Sequence, residues 1–319
     1  MKNLIKPKRL NPGDTIGIIA PASAPPDPRA IDHAASVVEK FGFNPKLAAN
    51  VRARKGFLAG DDRSRAADVM AMFADETVKA IICVRGGYGA ARILDLLDYD
   101  VIRQHPKLLV GYSDITALHS ALQLKARLIT IHAPMLNGGL ASEHLPEFTR
   151  AAFLRTVMEA KPAGSICAGY DKKDITTLHC GVAEGRLIGG NLSVLCASIG
   201  TPYQPQFKGQ ILFLEDVGER PYRLDRMLTQ LLSAGILQQA AGVAIGVNSD
   251  CEEKKDTDVD EYTQSSADVL AERLSSLNVP VVTGLPFGHV ELNAALPVGG
   301  LAKLDGDNGD LIITESAVS

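Results

Sequence analysis

Tryptophan is absent from the 319 residues, and phenylalanine with tyrosine makes only 5% of them aromatic. That leaves little material for an aromatic cage or for a platform on which bases stack. A dominant charge sign is also missing: 33 basic and 37 acidic residues give a net charge of −4, with a pI near 6.0. Such a balance supplies no field for gathering nucleic acid or an anionic membrane. No apolar run reaches the roughly 18 residues that a membrane span needs. The basic start, residues 1–10, is interrupted by residues 11–14 (NPGD) before any apolar stretch. No signal peptide is therefore expected, and the cytoplasm is the expected compartment. The five cysteines (Cys83, Cys167, Cys180, Cys196, Cys251) are odd in number and scattered, with no C-x-x-C pair. This is a pattern of free thiols rather than of bridges or a zinc knot.

What is present reads as an ordinary globular chain, 46% hydrophobic and 22% charged. Its length exceeds the roughly 250–300 residues at which one core usually gives way to two. Apolar strands are predicted at residues 15–20, 80–84, 108–112 and 128–131. Amphipathic helices are predicted from Asp27, from Asp61–Asp62, from Ala90 and over 115–122. In the first of these, Ile31, Ala34, Val37, Val38 and Phe41 share a face and Gly42 ends the helix. Alternation of this kind implies a parallel sheet covered on both faces, with ligands beyond the carboxyl ends of its strands. The pattern weakens over 147–183, where residues 161–164 and 171–174 read as connector. Beyond it come strands at 211–214, 243–245 and 281–283, helices over 221–232 and 265–277, and a hairpin with strands 301–305 and 311–314. The turn of that hairpin, residues 306–309 (GDNG), lacks the spacing and terminal Glu of a calcium loop. The mixed-charge run 249–260 reads as a solvated loop.

Chemistry-bearing residues cluster at the predicted strand ends. In residues 110–119 (VGYSDITALH) a serine, Ser113, stands at a sharp strand-to-helix turn, where its hydroxyl would project with the next N–H beside it. On these residues alone Ser113 or Asp114 could equally cap the helix, and Ile115 occupies the second glycine position of G-x-S-x-G. Residues 85–89 (RGGYG) offer backbone N–H groups for an oxyanion or simply a tight turn. They are a poor nucleotide loop, since Arg92 stands at the last glycine of G-x-G-x-x-G. Residues 189–191 (GGN) likewise read as a turn. Glu215 ends a strand and has two readings, an ion pair with Arg220 or Arg223 or an orienting carboxylate. His289 follows a strand on a loop. Ser, then Glu, then His at strand ends is the logic of nucleophile, orienting carboxylate and base. His132 and His179 are isolated, and no H-E-x-x-H or paired Cys/His spacing occurs, so neither metal nor cofactor is expected.

Across nearly its whole length the chain resembles the LD-carboxypeptidase family of serine peptidases. The resemblance is carried by residues 56–60 (GFLAG), 85–89, 111–119, 189–192 (GGNL), 214–216 (LED) and 288–289 (GH). It implies Ser113 as nucleophile, Glu215 as carboxylate and His289 as base, with the N–H groups of Asp114 and Gly87 as oxyanion donors. Arg85, Gly86 and Asn191 are the candidates for holding substrate. It also implies a flavodoxin-like N-terminal domain (1–160) carrying the nucleophile, a linker (161–184) and a smaller α/β C-terminal domain (185–319) carrying Glu215 and His289. The implied protein is a homodimer acting on muropeptide tetrapeptides in cell-wall recycling, with no nucleic acid or membrane as partner. The implied cut is at the bond between an L-configured centre and a terminal D-alanine. Alternatives are a microcin C-type self-immunity peptidase, disfavoured by the missing tryptophan, and a non-catalytic muropeptide sensor.

Overall fold

The computed structural model describes residues 4–253 and 264–319. The first sheet has six strands, five of them from the first half of the chain: β1 (Thr15–Ile19), β2 (Asn44–Leu47), β3 (Val78–Cys83), β4 (Leu108–Gly111) and β5 (Thr130–His132). They run parallel in the order β2-β1-β3-β4-β5, the flavodoxin-like order, whose switch point lies between β1 and β3. Both faces are buried, which is why β4 and the part of β3 after Lys79 are runs of buried apolar residues rather than alternations. The covering helices follow the expected apolar stripes: Ala30–Lys40 buries Ile31, Ala34, Val37 and Val38, and Asp62–Ala74 is capped by Asp61, which accepts from the Ser64 N–H.

The second sheet has eight strands: β6 (Gly164–Ser165), β7 (Thr176–His179), β8 (Val182–Asn191), β9 (Ile211–Glu215), β10 (Gly242–Val247), β11 (Val281–Gly288), β13 (Leu301–Asp305) and β14 (Asp310–Ile313). Between β11 and β13 the chain makes β12 (Leu296–Val298), which leaves this sheet and pairs antiparallel with β5 of the first. The order is β6-β14-β13-β8-β9-β10-β11-β7, with β8 to β11 parallel at its centre. Two apolar clusters line its faces, and one includes Leu296 and Val298 of β12, so the two units share packing.

Several expectations need correction. The stretch 161–184 is not bare linker, because it supplies β6, β7 and the start of β8. Its strands are short edge pairings to distant partners, for example β7 against β11, and so leave little local periodicity. Residues Glu147–Met158 form a helix where the pattern had weakened. Two of its five buried positions are Thr149 and Thr156, which do not register as apolar. The helix expected from Asp27 begins at Ala30, with Asp27 accepting from the Arg29 N–H instead. Residues 189–191 are not a turn but the end of β8. Gly189 has φ 144°, and a Cβ there would collide with the Phe213 carbonyl of neighbouring β9, so the glycine permits strand contact. The hairpin of β13 and β14 forms as expected, with Asp305 opposite Asp310. Of the 249–260 run, residues 254–260 lie outside the described residues.

Candidate active site

Ser113 follows β4 by two residues and has φ 61°, a left-handed conformation that non-glycine residues rarely adopt. No side-chain cap is made there: Asp114 instead accepts the Ala90 N–H at 2.7 Å, which ties the Ser113 turn to the loop after β3. That loop presents Gly86 to the serine. A Cβ on Gly86 would stand 3.0 Å from Ser113 Cβ, 3.1 Å from its Oγ and 3.2 Å from the Asp114 nitrogen. The glycine therefore keeps open the space in front of the hydroxyl and the Asp114 N–H. Gly87 follows with φ 99°, braced by Ser23 from the loop after β1: Ser23 N–H donates to the Gly86 carbonyl, and Ser23 Oγ accepts the Tyr88 N–H. Neither the Gly87 nor the Asp114 N–H donates to another described atom. The serine, the two free N–H groups and the β1/β3 switch point thus meet at one end of the first sheet.

The second sheet brings the other half. Glu215, the last residue of β9, is fully buried, and its Oε2 accepts from Nδ1 of His289 at 2.7 Å. The ion-pair alternative is excluded, since Arg220 faces Glu253 and Arg223 faces Glu219. A proton on Nδ1 leaves Nε2 as the acceptor, the tautomer a base needs. His289 follows directly on β11, and Gly288 packs over the Glu215 side chain. The two halves touch through Tyr112, whose ring centroid lies 4.6 Å from that of His289. Among the described residues Ser113 and His289 make no direct hydrogen bond.

Of the residues expected to hold substrate, Gly86 lies at the site and Arg85 donates to the Ala24 carbonyl at 3.2 Å. Asn191 is buried and bonded within the protein. Its Nδ2 donates to Asp216, its Oδ1 accepts from Ser193 and Val194, and its own N–H donates to Thr116 on the helix after Ser113. Tyr112, Ser23, Thr116 and Asp216 belong to the architecture and were not singled out in the sequence. The available signal was adjacency: Tyr112 precedes the serine and Asp216 follows the glutamate. Isolated His132 is buried against Tyr112, Phe213 and Phe287. Among the described residues no three His, Cys, Asp or Glu side chains gather to hold a metal ion. No described helix is long and apolar enough to cross a membrane.

Burial pushes the Asp114 carboxyl up to about 6, with the Ala90 N–H pulling the other way. A carboxyl whose folded pKa is raised favours folding in its protonated form. Its contribution is full below about 4 and is lost as pH rises toward about 6. Asp114→Asn should therefore gain in urea-unfolding midpoint relative to the parent chain as pH rises from 4 to 6. The difference should be flat above that, whereas one that is constant across the window would show that Asp114 stays ionised throughout.

The family model described as the LD-carboxypeptidase N-terminal domain matches residues 16–133, and the one for the C-terminal domain matches 184–304. A probable murein peptide carboxypeptidase of Bacillus subtilis (strain 168) is 39% identical over 300 residues, covering 94% of this chain and 91% of that protein. The crystal structure of a muramoyltetrapeptide carboxypeptidase from Oxalobacter formigenes superposes with a TM-score of 0.81 at 32% identity, covering 94% of this chain and 99% of the other. The microcin C7 self-immunity protein MccF, in complex with aspartyl sulfamoyl adenosine, has a TM-score of 0.87 at 23% identity, covering 99% and 100%. That last likeness is one of fold.

Proposed function

Because the chain belongs to the LD-carboxypeptidase family, we propose that it is a serine carboxypeptidase that removes the terminal D-alanine from murein tetrapeptides. The observation that carries the mechanism is the pair of buried Glu215 with half-buried His289, 2.7 Å long, set against the turn that holds Ser113 at φ 61°. His289 Nε2 takes the hydroxyl proton, and Ser113 Oγ bonds to the carbonyl carbon of the last amide. The oxyanion is received by the N–H groups of Asp114 and Gly87. Collapse breaks the C–N bond, and the proton held by His289 goes to the departing nitrogen. Water, activated by the same imidazole, then frees the acyl group from the serine. Glu215 fixes the tautomer and stabilises the cation that forms between these steps. The reading also includes work in the cytoplasm and a homodimeric assembly.

The test is mass spectrometry of a tetrapeptide ending in D-alanine, before and after incubation with the purified chain. Loss of one alanine residue is the expected change. An intact tetrapeptide alongside cleavage of an aminoacyl-nucleotide amide would transfer the site to the microcin-type activity. Tight binding without cleavage of either would make the protein a sensor.

A further inference from the structure

Two cavities flank Ser113, which itself lines neither, and they differ in size and in the part of the machinery they meet. One, of about 550 Å³, is lined by Gly87 and Asp114 on the oxyanion side and walled by Tyr88, Leu94, Val194 and Tyr203. The other, of about 230 Å³, is lined by Tyr112 and His289. A proton passed to a departing amine must come from a group against which that amine lies. His289 therefore places the departing residue in the smaller cavity and leaves the larger one for the acyl peptide. The volumes agree with this direction, since a single amino acid leaves and a longer peptide stays.

The small cavity also has the polarity of a free amino acid. Leu145, Pro146 and Thr149, the start of the twelve-residue helix Glu147–Met158, form one wall. Pro146 stands at its N-cap with no side-chain cap, and the N–H groups of Glu147, Phe148 and Thr149 donate to no other described atom; of these three residues Thr149 lines the cavity. Uncapped N–H groups at a helix start favour an anion. Independently, Asn293 lines the same cavity and is 1% exposed. Its Nδ2 donates to the Gly288 carbonyl, while Oδ1 has no partner among the described residues. A buried acceptor without a donor calls for one. Thr149 joins the two walls, donating to the Glu291 carbonyl and accepting the Asn293 N–H at 2.9 Å. Three carboxylates are close: Glu291 lines the cavity but is solvent-exposed, Glu147 is exposed and faces Arg150, and buried Glu215 is held by His289. Arg85 lines neither cavity.

We propose that the cavity between His289 and the start of helix Glu147–Met158 is the subsite for the departing amino acid, its carboxylate on the helix N–H groups and its nitrogen on Asn293 Oδ1. This rests on the carboxypeptidase reading, and the test separates the two. In the full-length Ser113→Ala chain, binding of N-acetyl-D-alanine and of its C-terminal amide is measured by titration calorimetry. The acid should bind about tenfold tighter or better, the scale of charge-assisted hydrogen bonds. Adding Pro146→Asp puts a carboxylate over the same N–H groups. It should reduce the preference to less than about twofold without lowering the unfolding midpoint, because Asp is a favoured N-cap. Pro146→Ala, with no carboxylate, should keep the preference. Equal binding of acid and amide to Ser113→Ala overturns the proposal whatever the variants do, and so does a preference that survives in folded Pro146→Asp. Acid preference in a chain whose parent cleaves no tetrapeptide would leave the subsite standing and remove the carboxypeptidase reading.

Discussion

Replacing Ser113 by alanine is expected to reduce kcat on a murein tetrapeptide by on the order of 10⁴–10⁶ while leaving the fold intact. The side chain makes no cap and no hydrogen bond, so its removal should cost within about 0.5 kcal/mol of stability. Its φ of 61° is set by the backbone and is no worse for alanine. Glu215→Gln and His289→Ala should each lose on the order of 10⁴. Glutamine keeps the volume but no longer holds the proton on Nδ1, and alanine removes the base. The three act on one proton transfer, so Ser113→Ala combined with His289→Ala should be no slower than Ser113→Ala alone. The measurements are single-turnover rates, paired with unfolding midpoints to show that each variant is folded. A folded Ser113→Ala chain that retains parental kcat would remove the serine mechanism. A His289→Ala chain with near-parental kcat would show that another group is the base.

Stereochemistry should produce an effect of comparable scale. A tetrapeptide ending in an L-centre followed by D-alanine should be cut. A pentapeptide ending in D-Ala–D-Ala should react slower by on the order of 10² or more. The attacking oxygen has one approach, since Ser113 is held by its backbone, Gly86 leaves space on one side and the Asp114 N–H marks the oxyanion. Inverting the Cα next to the scissile carbonyl exchanges side chain and hydrogen. Bulk then enters that space, or the carbonyl carbon moves off the line of attack, and a displacement of about 1 Å is enough for the loss. Free D-alanine measured from both peptides under identical conditions decides the matter. Equal release, or release from the pentapeptide alone, would refute the L,D assignment even with the serine mechanism intact.

The local elements were legible wherever apolar spacing was clean. The helix Ala30–Lys40 shows its stripe in Ile31, Ala34, Val37 and Val38, while β4 and the part of β3 after Lys79 are apolar runs. The helix Glu147–Met158 was not legible, because threonine contributes part of its buried side and no hydropathy pattern reveals a threonine whose hydroxyl is satisfied elsewhere. Gly189 and Gly190 looked like a turn because glycine usually marks one. Here the missing Cβ of Gly189 allows β8 to approach Phe213 of β9, and that of Gly190 makes room for the Thr116 side chain.

By itself the sequence determined the alternation that makes a parallel sheet, the absence of a membrane-length apolar run and the placing of Ser113, Glu215 and His289 at strand ends. These follow from periods of 2 and 3.6 residues and from short motifs, all of them local. Tertiary structure alone decided that Glu215 and His289, 74 residues apart, become one hydrogen-bonded pair, and that Tyr112 carries their unit onto the serine's. It also sent β12 back into the first sheet and left the start of helix Glu147–Met158 uncapped beside His289. Such pairings depend on which strand ends the sheet order brings together. That order is set by burying two-sided apolar strands and satisfying their backbone groups across the whole chain, which no window of neighbouring residues contains.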